Sequence, residues 1–207
     1  MTAFQFANSS QPVPDAIDIP ISFSIKAAPS TDVWDKPPAT HSFNAPILHR
    51  VLPLKTFKRA RVSVAAEWKN LYDQGGLILV IYQKDGDNEQ QQTRKWIKTG
   101  IEFTAGKPHI SVVATDRWSD WSLTPVPSGG NTATIEIVRE EEQENTLWVY
   151  LVDGSSRFPL REVTWAFEEE KTAECWIGAY AAKPYSSPDT DDLAVDFQHL
   201  IVETVVD

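Results

Sequence analysis

Cysteine is almost missing from this 207-residue chain: Cys175 is the only one, so no intramolecular disulfide can form. It sits in the alternating stretch Cys175-Trp176-Ile177-Gly178-Ala179-Tyr180, which reads as a strand with a buried, inert thiol. A nucleophilic role would need a positioned base, and none is visible nearby. Positive charge is also in short supply. Lys and Arg total 19 against 29 Asp and Glu, a net charge of −10, which argues against nucleic acid or an anionic membrane as partner. No apolar segment approaches the roughly 18 residues of a membrane span. Residues 1–10 have neither the basic region nor the apolar run of a secretory signal, so a cytoplasmic location is expected. The glycosylation triplet Asn8-Ser9-Ser10 then has no context. His41, His49, His109 and His199 show no zinc-type spacing, and no nucleophile elbow, phosphate loop or dinucleotide fingerprint is present. Asp85-Gly86-Asp87-Asn88-Glu89 lacks the full twelve-residue calcium loop and reads as a polar turn. No metal and no cofactor are expected.

Helical periodicity is absent at any useful length. What is present is alternation, a 42% hydrophobic content and eight tryptophans. Strands are expected at residues 21–27, 48–54, 61–68, 76–82, 96–103, 109–115, 121–126, 132–139, 146–152, 162–168, 174–182 and 193–204. Residues 76–82 form a continuous apolar run, which suits a strand buried on both faces. Residues 1–20 read as an edge strand or arm, and residues 29–46, rich in Pro, Ser, Thr and Asp, as a long loop. The acidic runs at 140–144 and 168–170 read as solvated tips that discourage edge-to-edge association. Nothing resembles a linker. The expectation is one all-β domain over residues 1–207, an antiparallel β-sandwich of the jelly-roll type with one curved, grooved sheet.

Residues 96–103 carry the clearest functional pattern. With period two, Trp96, Lys98, Gly100 and Glu102 share one face and Ile97, Thr99, Ile101 and Phe103 the other. The second face is core. The first puts an aromatic, a cation and a carboxylate in a row, as a sheet needs to hold a polar small molecule. The alternative is a same-face ion pair on a solvated sheet, worth about 0.2–1 kcal/mol. In a partly closed groove, Lys98 would hold Glu102 ionised. Asp73 and Gln74, before the buried run, either cap a turn or project into the groove. In Asp120-Trp121-Ser122, Trp121 opposes its two neighbours, so one set lies in the core. Trp118 belongs to a loop that could rim the groove. Arg161, Trp165 and Tyr180 are further candidates. Trp165 shares a face with Val163 and Phe167, which also suits core packing, and Gly178 beside Trp176 and Tyr180 leaves room for a ligand or a neighbouring side chain.

Five blocks resemble one family: Thr31-Asp32-Val33-Trp34, Leu71-Tyr72-Asp73-Gln74-Gly75-Gly76-Leu77, Trp96-Ile97-Lys98-Thr99-Gly100-Ile101-Glu102-Phe103, Ser119-Asp120-Trp121-Ser122 and Ile177-Gly178-Ala179-Tyr180-Ala181-Ala182. In their order they are similar to the regulation-of-enolase protein family across roughly residues 18–203. The resemblance implies the concanavalin A-like lectin/glucanase fold, carbohydrate-utilisation neighbours among bacterial relatives and a cytoplasmic fungal namesake affecting enolase expression. It implies no agreed activity, and a fold alone assigns none.

Glucanases of that fold carry two glutamates flanking an aspartate on one strand. The nearest match is Glu136-Ile137-Val138-Arg139-Glu140, with Val138 in the middle. Strand positions four apart lie about 13 Å apart, whereas retaining hydrolysis needs carboxyls at about 5–5.5 Å and inversion about 6.5–9.5 Å. Glycosidase machinery is therefore not expected. Three readings remain. The first is a protein that binds a small polar molecule or carbohydrate in a concave aromatic and charged groove. The second is an acid–base enzyme (isomerase, cyclase or lyase) using Lys98, Glu102, Asp73 or Asp120 in that groove. The third is a cytoplasmic regulator acting through a protein partner.

Overall fold

Alternation along the chain becomes two sheets laid face to face. The computed structural model describes residues 2–83, 94–127, 129–140, 146–187 and 191–205. The strands are β1 (Gln5–Ala7), β2 (Ser22–Ala27), β3 (Val33–Lys36), β4 (Thr40–Phe43), β5 (Ile47–Pro53), β6 (Phe57–Ala66), β7 (Gln74–Gln83), β8 (Arg94–Thr104), β9 (Lys107–Thr115), β10 (Ser119–Pro125), β11 (Thr132–Glu140), β12 (Thr146–Asp153), β13 (Ser156–Val163), β14 (Ala173–Ala182) and β15 (Leu193–Thr204). One sheet has the order β1-β5-β14-β7-β8-β9-β10 and the other β13-β12-β11-β6-β15-β2. All strand pairings within both are antiparallel. This is the β-sandwich expected from the sequence.

The main core lies between the sheets. Leu77, Leu79, Ile97, Ile101, Ile177 and Ala179 of the seven-stranded sheet meet Val62, Val64, Ile135, Ile137, Val149 and Val195 of the other. Burying each large aliphatic side chain here contributes about 1.5–3 kcal/mol. Cys175 belongs to this core, and burial pushes its thiol well up, as an inert packing residue requires.

A second apolar cluster lies on the opposite, outer face of the seven-stranded sheet. It contains Val33, Ala45, Ile47, Ile78, Val80, Trp96, Val113, Tyr180 and Ala182. The β3–β4 hairpin covers this face, which is why β7 is buried on both sides from Gln74 to Ile81. The hairpin corrects the expectation of a plain loop over residues 29–46. Its Pro, Ser and Thr content masks two short alternating strands. The expected strand at 162–168 is also corrected: β13 ends at Val163, and turns follow through Thr172. β13 contains Pro159, which an edge strand tolerates because one side of its ladder is unpaired. The turn at 84–88, the loop at 85–89 and residues 141–144 of the first acidic run lie outside the described residues.

Strand spacing imposes three glycines. A Cβ on Gly76 would lie 2.0 Å from the Thr99 carbonyl oxygen, and one on Gly100 2.0 Å from that of Gly75. A Cβ on Gly178 would lie 1.9 Å from the Leu48 carbonyl oxygen. Gly178 thus serves a close backbone approach between β14 and β5, which corrects its reading as space left for a ligand.

Candidate functional site on the outer sheet face

Register turns the outer face into a grid. One row across β14, β7 and β8 reads Ala182, Gln74, Glu102. The next reads Tyr180, Gly76, Gly100 and then Ser111 on β9. The third reads Gly178, Ile78, Lys98, Val113 and Trp121 on β10. Gly76 and Gly100 carry no side chains, so the residues in the rows above and below them can meet. Lys98 Nζ donates to Gln74 Oε1 at 2.6 Å, and the Tyr180 hydroxyl donates to the same oxygen at 3.3 Å. Gln74 Nε2 donates to the Tyr72 carbonyl at 3.2 Å and to Asp32 Oδ1 at 3.4 Å. Asp32 Oδ1 also lies 3.6 Å from Lys98 Nζ.

Aromatic rings enclose this amine. Lys98 Nζ is 5.7 Å from the Trp96 ring centre, 5.8 Å from that of Tyr180 and 6.0 Å from that of Trp34. Each contact is attractive through the ring quadrupole, more so in a desolvated setting. Lys98 is 2% exposed and Tyr180 1%. Beside them, Ser111 donates to Glu102 Oε2 at 2.8 Å and accepts from Trp121 Nε1 at 3.0 Å. Burial raises the Glu102 carboxyl above its ordinary range. Lys98 and the Ser111 hydrogen bond pull the other way without cancelling that effect. Lys98 thus acts in the expected direction, favouring the ionised carboxylate, while burial acts against it. Burial, reinforced by Glu102 and Asp32, pushes the Tyr180 phenol well above its ordinary range.

Trp96 shares the predicted face, but no part of its ring is exposed. Its indole N–H donates to Asp35 Oδ2 at 2.9 Å, Asp35 also pairs with His41, and the Asp35 backbone amide donates to Ser119 Oγ at 2.9 Å. Trp96 is therefore the post on which the hairpin rests. Trp34, Tyr72 and Trp121 meet beside this cluster, with centroids 6.2 Å (Trp34–Trp121) and 6.1 Å (Tyr72–Trp121) apart, both edge-on. Tyr72 has φ +67°, a conformation that costs a non-glycine residue about 1–2 kcal/mol. That backbone turn aims its carbonyl at Gln74.

The ten sequence candidates separate into three groups. Gln74, Trp96, Lys98, Glu102, Trp121 and Tyr180 assemble on the outer face. Asp73 does not join them. Its Oδ2 accepts the amides of Lys69 and Asn70 at 3.1 and 2.9 Å, and its Oδ1 lies 3.3 Å from Lys183 Nζ. That is the turn-capping alternative, and Asp73 lines a separate cavity of about 570 Å³ with Glu67, Lys183 and Asp196. Asp120, Arg161 and Trp165 form the third group, at the sandwich edge beside a cavity of about 280 Å³. Glu136, the nearest match to a glucanase pair, lies on the outer face of the other sheet, between Arg59 at 3.2 Å and Arg157 at 2.7 Å.

Four site residues escaped the strand pattern: Asp32, Trp34, Tyr72 and Ser111. Trp34 and Tyr72 stand out as large rings inside polar segments, and Ser111 follows once Gly100 is paired across the Gly106 turn. His49 was also missed. It stacks on Trp176 at 4.2 Å, and burial pushes it down to about 4.

A family model described as "Protein of unknown function (DUF1349)" matches residues 14–205. An uncharacterized protein of Emericella nidulans is 54% identical over 203 residues, covering 98% of this chain and 96% of its own length. Regulation of enolase protein 1 of Saccharomyces cerevisiae is 31% identical over 101 residues, 49% of this chain and 44% of that protein. A solved structure of a functionally unknown S. cerevisiae protein superposes with a TM-score of 0.72 at 19% identity, covering 99% of this chain and 97% of that one. This last likeness is one of fold.

Proposed function

The chain belongs to the DUF1349 family, and on that premise we propose that it binds a small polyhydroxylated molecule, a carbohydrate, on the outer face of its seven-stranded sheet. The family is described as one of unknown function, so the reading rests on the site. One observation carries it: an amine, an amide, two carboxylates and a phenol meet over a pair of glycines under three aromatic rings. Vicinal hydroxyls need planar donors and acceptors held in place, and the sugar ring's apolar face needs an aromatic edge or plane. Gln74, Asp32 and Glu102 supply the first, and Trp34, Tyr72 and Trp121 the second. The ligand sits against those rings, because Trp96 and Lys98 are closed beneath the hairpin. The protein works in the cytoplasm, where its single thiol stays reduced, and cell fractionation tests that placement.

Calorimetric titration against a panel of neutral mono- and oligosaccharides tests the binding. Glu102→Gln and Trp121→Ala should each weaken the interaction about tenfold or more. Binding that both variants leave unchanged overturns the reading.

A second reading has its own observation. Glu102 is a carboxyl raised by burial, beside a lysine and a buried phenol, the arrangement general acid–base catalysis uses. It predicts that saccharides bound by the wild type are slowly converted, with a limb of the pH–rate profile that disappears in Glu102→Gln. Quantitative recovery of unchanged ligand after prolonged incubation rejects it.

A further inference from the structure

β10 and β13 are edge strands, one from each large sheet, and between them opens the cavity of about 280 Å³ lined by Asp116, Trp118, Asp120, Arg161, Glu162 and Trp165. We propose that this edge cavity is a second saccharide subsite, holding one ring of an oligosaccharide whose other end occupies the outer-face site. The proposal deepens the carbohydrate reading and rests on it for the nature of the ligand.

Trp118 carries the argument. It is 56% exposed, yet it is not loose, because its indole N–H donates to the Pro37 carbonyl at 3.1 Å. A rigid indole offered to water contributes little to the core and much to a ring that stacks on it. Trp165 supplies a second, half-buried indole on the same cavity, with Lys95 Nζ 5.7 Å from its ring centre. Arg161 and Asp120 supply the polar contacts. Arg161 pairs with the Asp120 carboxylate and donates to the Asp120 carbonyl at 3.0 Å. The pair fixes both planar groups before any ligand arrives, which lowers the entropy lost on binding. The Asp120 side chain remains 73% exposed, so its carboxylate is open to a hydroxyl donor.

Size and charge restrict the occupant. About 280 Å³ falls just under the ~300 Å³ lower end of ligand sites, room for one sugar ring and not a chain. Asp116, Asp120 and Glu162 outnumber Arg161 in the lining, which favours neutral or amino sugars over uronates and sulfated sugars. The hairpin couples the two sites. Pro37 in its turn holds Trp118, while Asp35 in β3 holds Trp96 and Ser119.

The test is calorimetry with neutral glucose and mannose oligosaccharides of one to six units on the full chain. Wild type, Trp118→Ala, Trp118→Phe and Glu102→Gln are compared. Affinity should rise with length in the wild type. Trp118→Ala should remove that gain, about tenfold in Kd, while leaving the shortest ligands and the melting temperature unchanged, and Trp118→Phe should restore most of it. A length gain that survives Trp118→Ala overturns the edge subsite and leaves the outer-face reading standing. Binding lost in Trp118→Ala and untouched in Glu102→Gln keeps the edge site and overturns the outer-face reading. No binding by the wild type at any length overturns both.

Discussion

Each outer face of the sandwich buries one glutamate, and the two are treated differently. Glu136, on the six-stranded sheet, is fully buried and clamped by Arg59 and Arg157, with Glu203 also bound to Arg59 at 3.0 Å. Glu102, on the seven-stranded sheet, is 6% exposed and has one hydroxyl donor and a lysine whose amine is bonded to Gln74. Burial raises Glu102 in spite of them. A buried charge held between two guanidinium groups is a structural fastening through charge alone, since neither Glu136 oxygen meets hydrogen-bond geometry. Glu102 has a hydroxyl hydrogen bond but only one cation beside it, and a buried carboxyl with so little opposing charge is the kind found at binding sites. Position on an outer face does not separate structure from function here, but compensation does.

Breaking the comparison begins with a histidine that burial disturbs strongly. His49, on the seven-stranded face, falls from 6.5 to about 4. Its folded form resists protonation, so between those values the unfolded chain binds more protons. Stability should fall by up to about 3 kcal/mol as pH drops from 6.5 to 4, and denaturant titrations should show His49→Gln losing most of that slope. On the other face, Arg59→Ala leaves Glu136 with one partner. We expect a loss of about 2 kcal/mol, discounted from the 3–5 of a fully buried pair because Arg59 is partly exposed and Arg157 still pairs with Glu136, measured as a shift in denaturation midpoint. A neutral Arg59→Ala would mean that Glu136 is no fastening.

Tyr72→Gly should stabilise the protein by about 1 kcal/mol in thermal unfolding, because glycine takes the positive φ without strain, while saccharide affinity falls. A loss of stability would show the Tyr72 ring to be packing and not presentation. Glu102→Gln has the smallest effect on stability, within about 1 kcal/mol at pH 7. Its sign is informative. A carboxyl raised in the folded state binds its proton longer there than in the unfolded chain, so the wild type should lose stability as pH rises above 4.5 through the folded value. Glu102→Gln should lack that decline. Urea midpoints measured across pH 4 to 8 sharpen the comparison, since a matching decline in the variant would mean that another group causes it.

Much of this architecture was legible in the chain. The parity of residues 96–103 placed Lys98 and Glu102 together because alternation is a local rule, and the apolar run before Tyr82 announced a strand covered on both sides. Its cover was not legible. Residues 29–46 form a hairpin whose strands are four residues each, too short for a pattern to outweigh Pro, Ser and Thr. Trp96 was on the predicted face, but its burial comes from Asp35, 61 residues away. Asp73 and Gln74 were weighed together, yet successive residues of an extended chain diverge, and one caps a turn while the other enters the site. Asp120 and Arg161 meet 41 residues apart at the junction of two sheet edges, which no single-strand pattern encodes.

The hairpin has a further consequence through its place in the chain. It is the connection between β2, at the rim of one sheet, and β5, inside the other. β3 and β4 pair only with each other, so the hairpin joins the ladder of neither large sheet. The segment that roofs the site is thus tied to the scaffold by side chains and a single bridge at Pro29, with no sheet ladder. Descendants of this fold can lengthen, shorten or rewrite it, and so change what is admitted, with the sandwich itself unaltered.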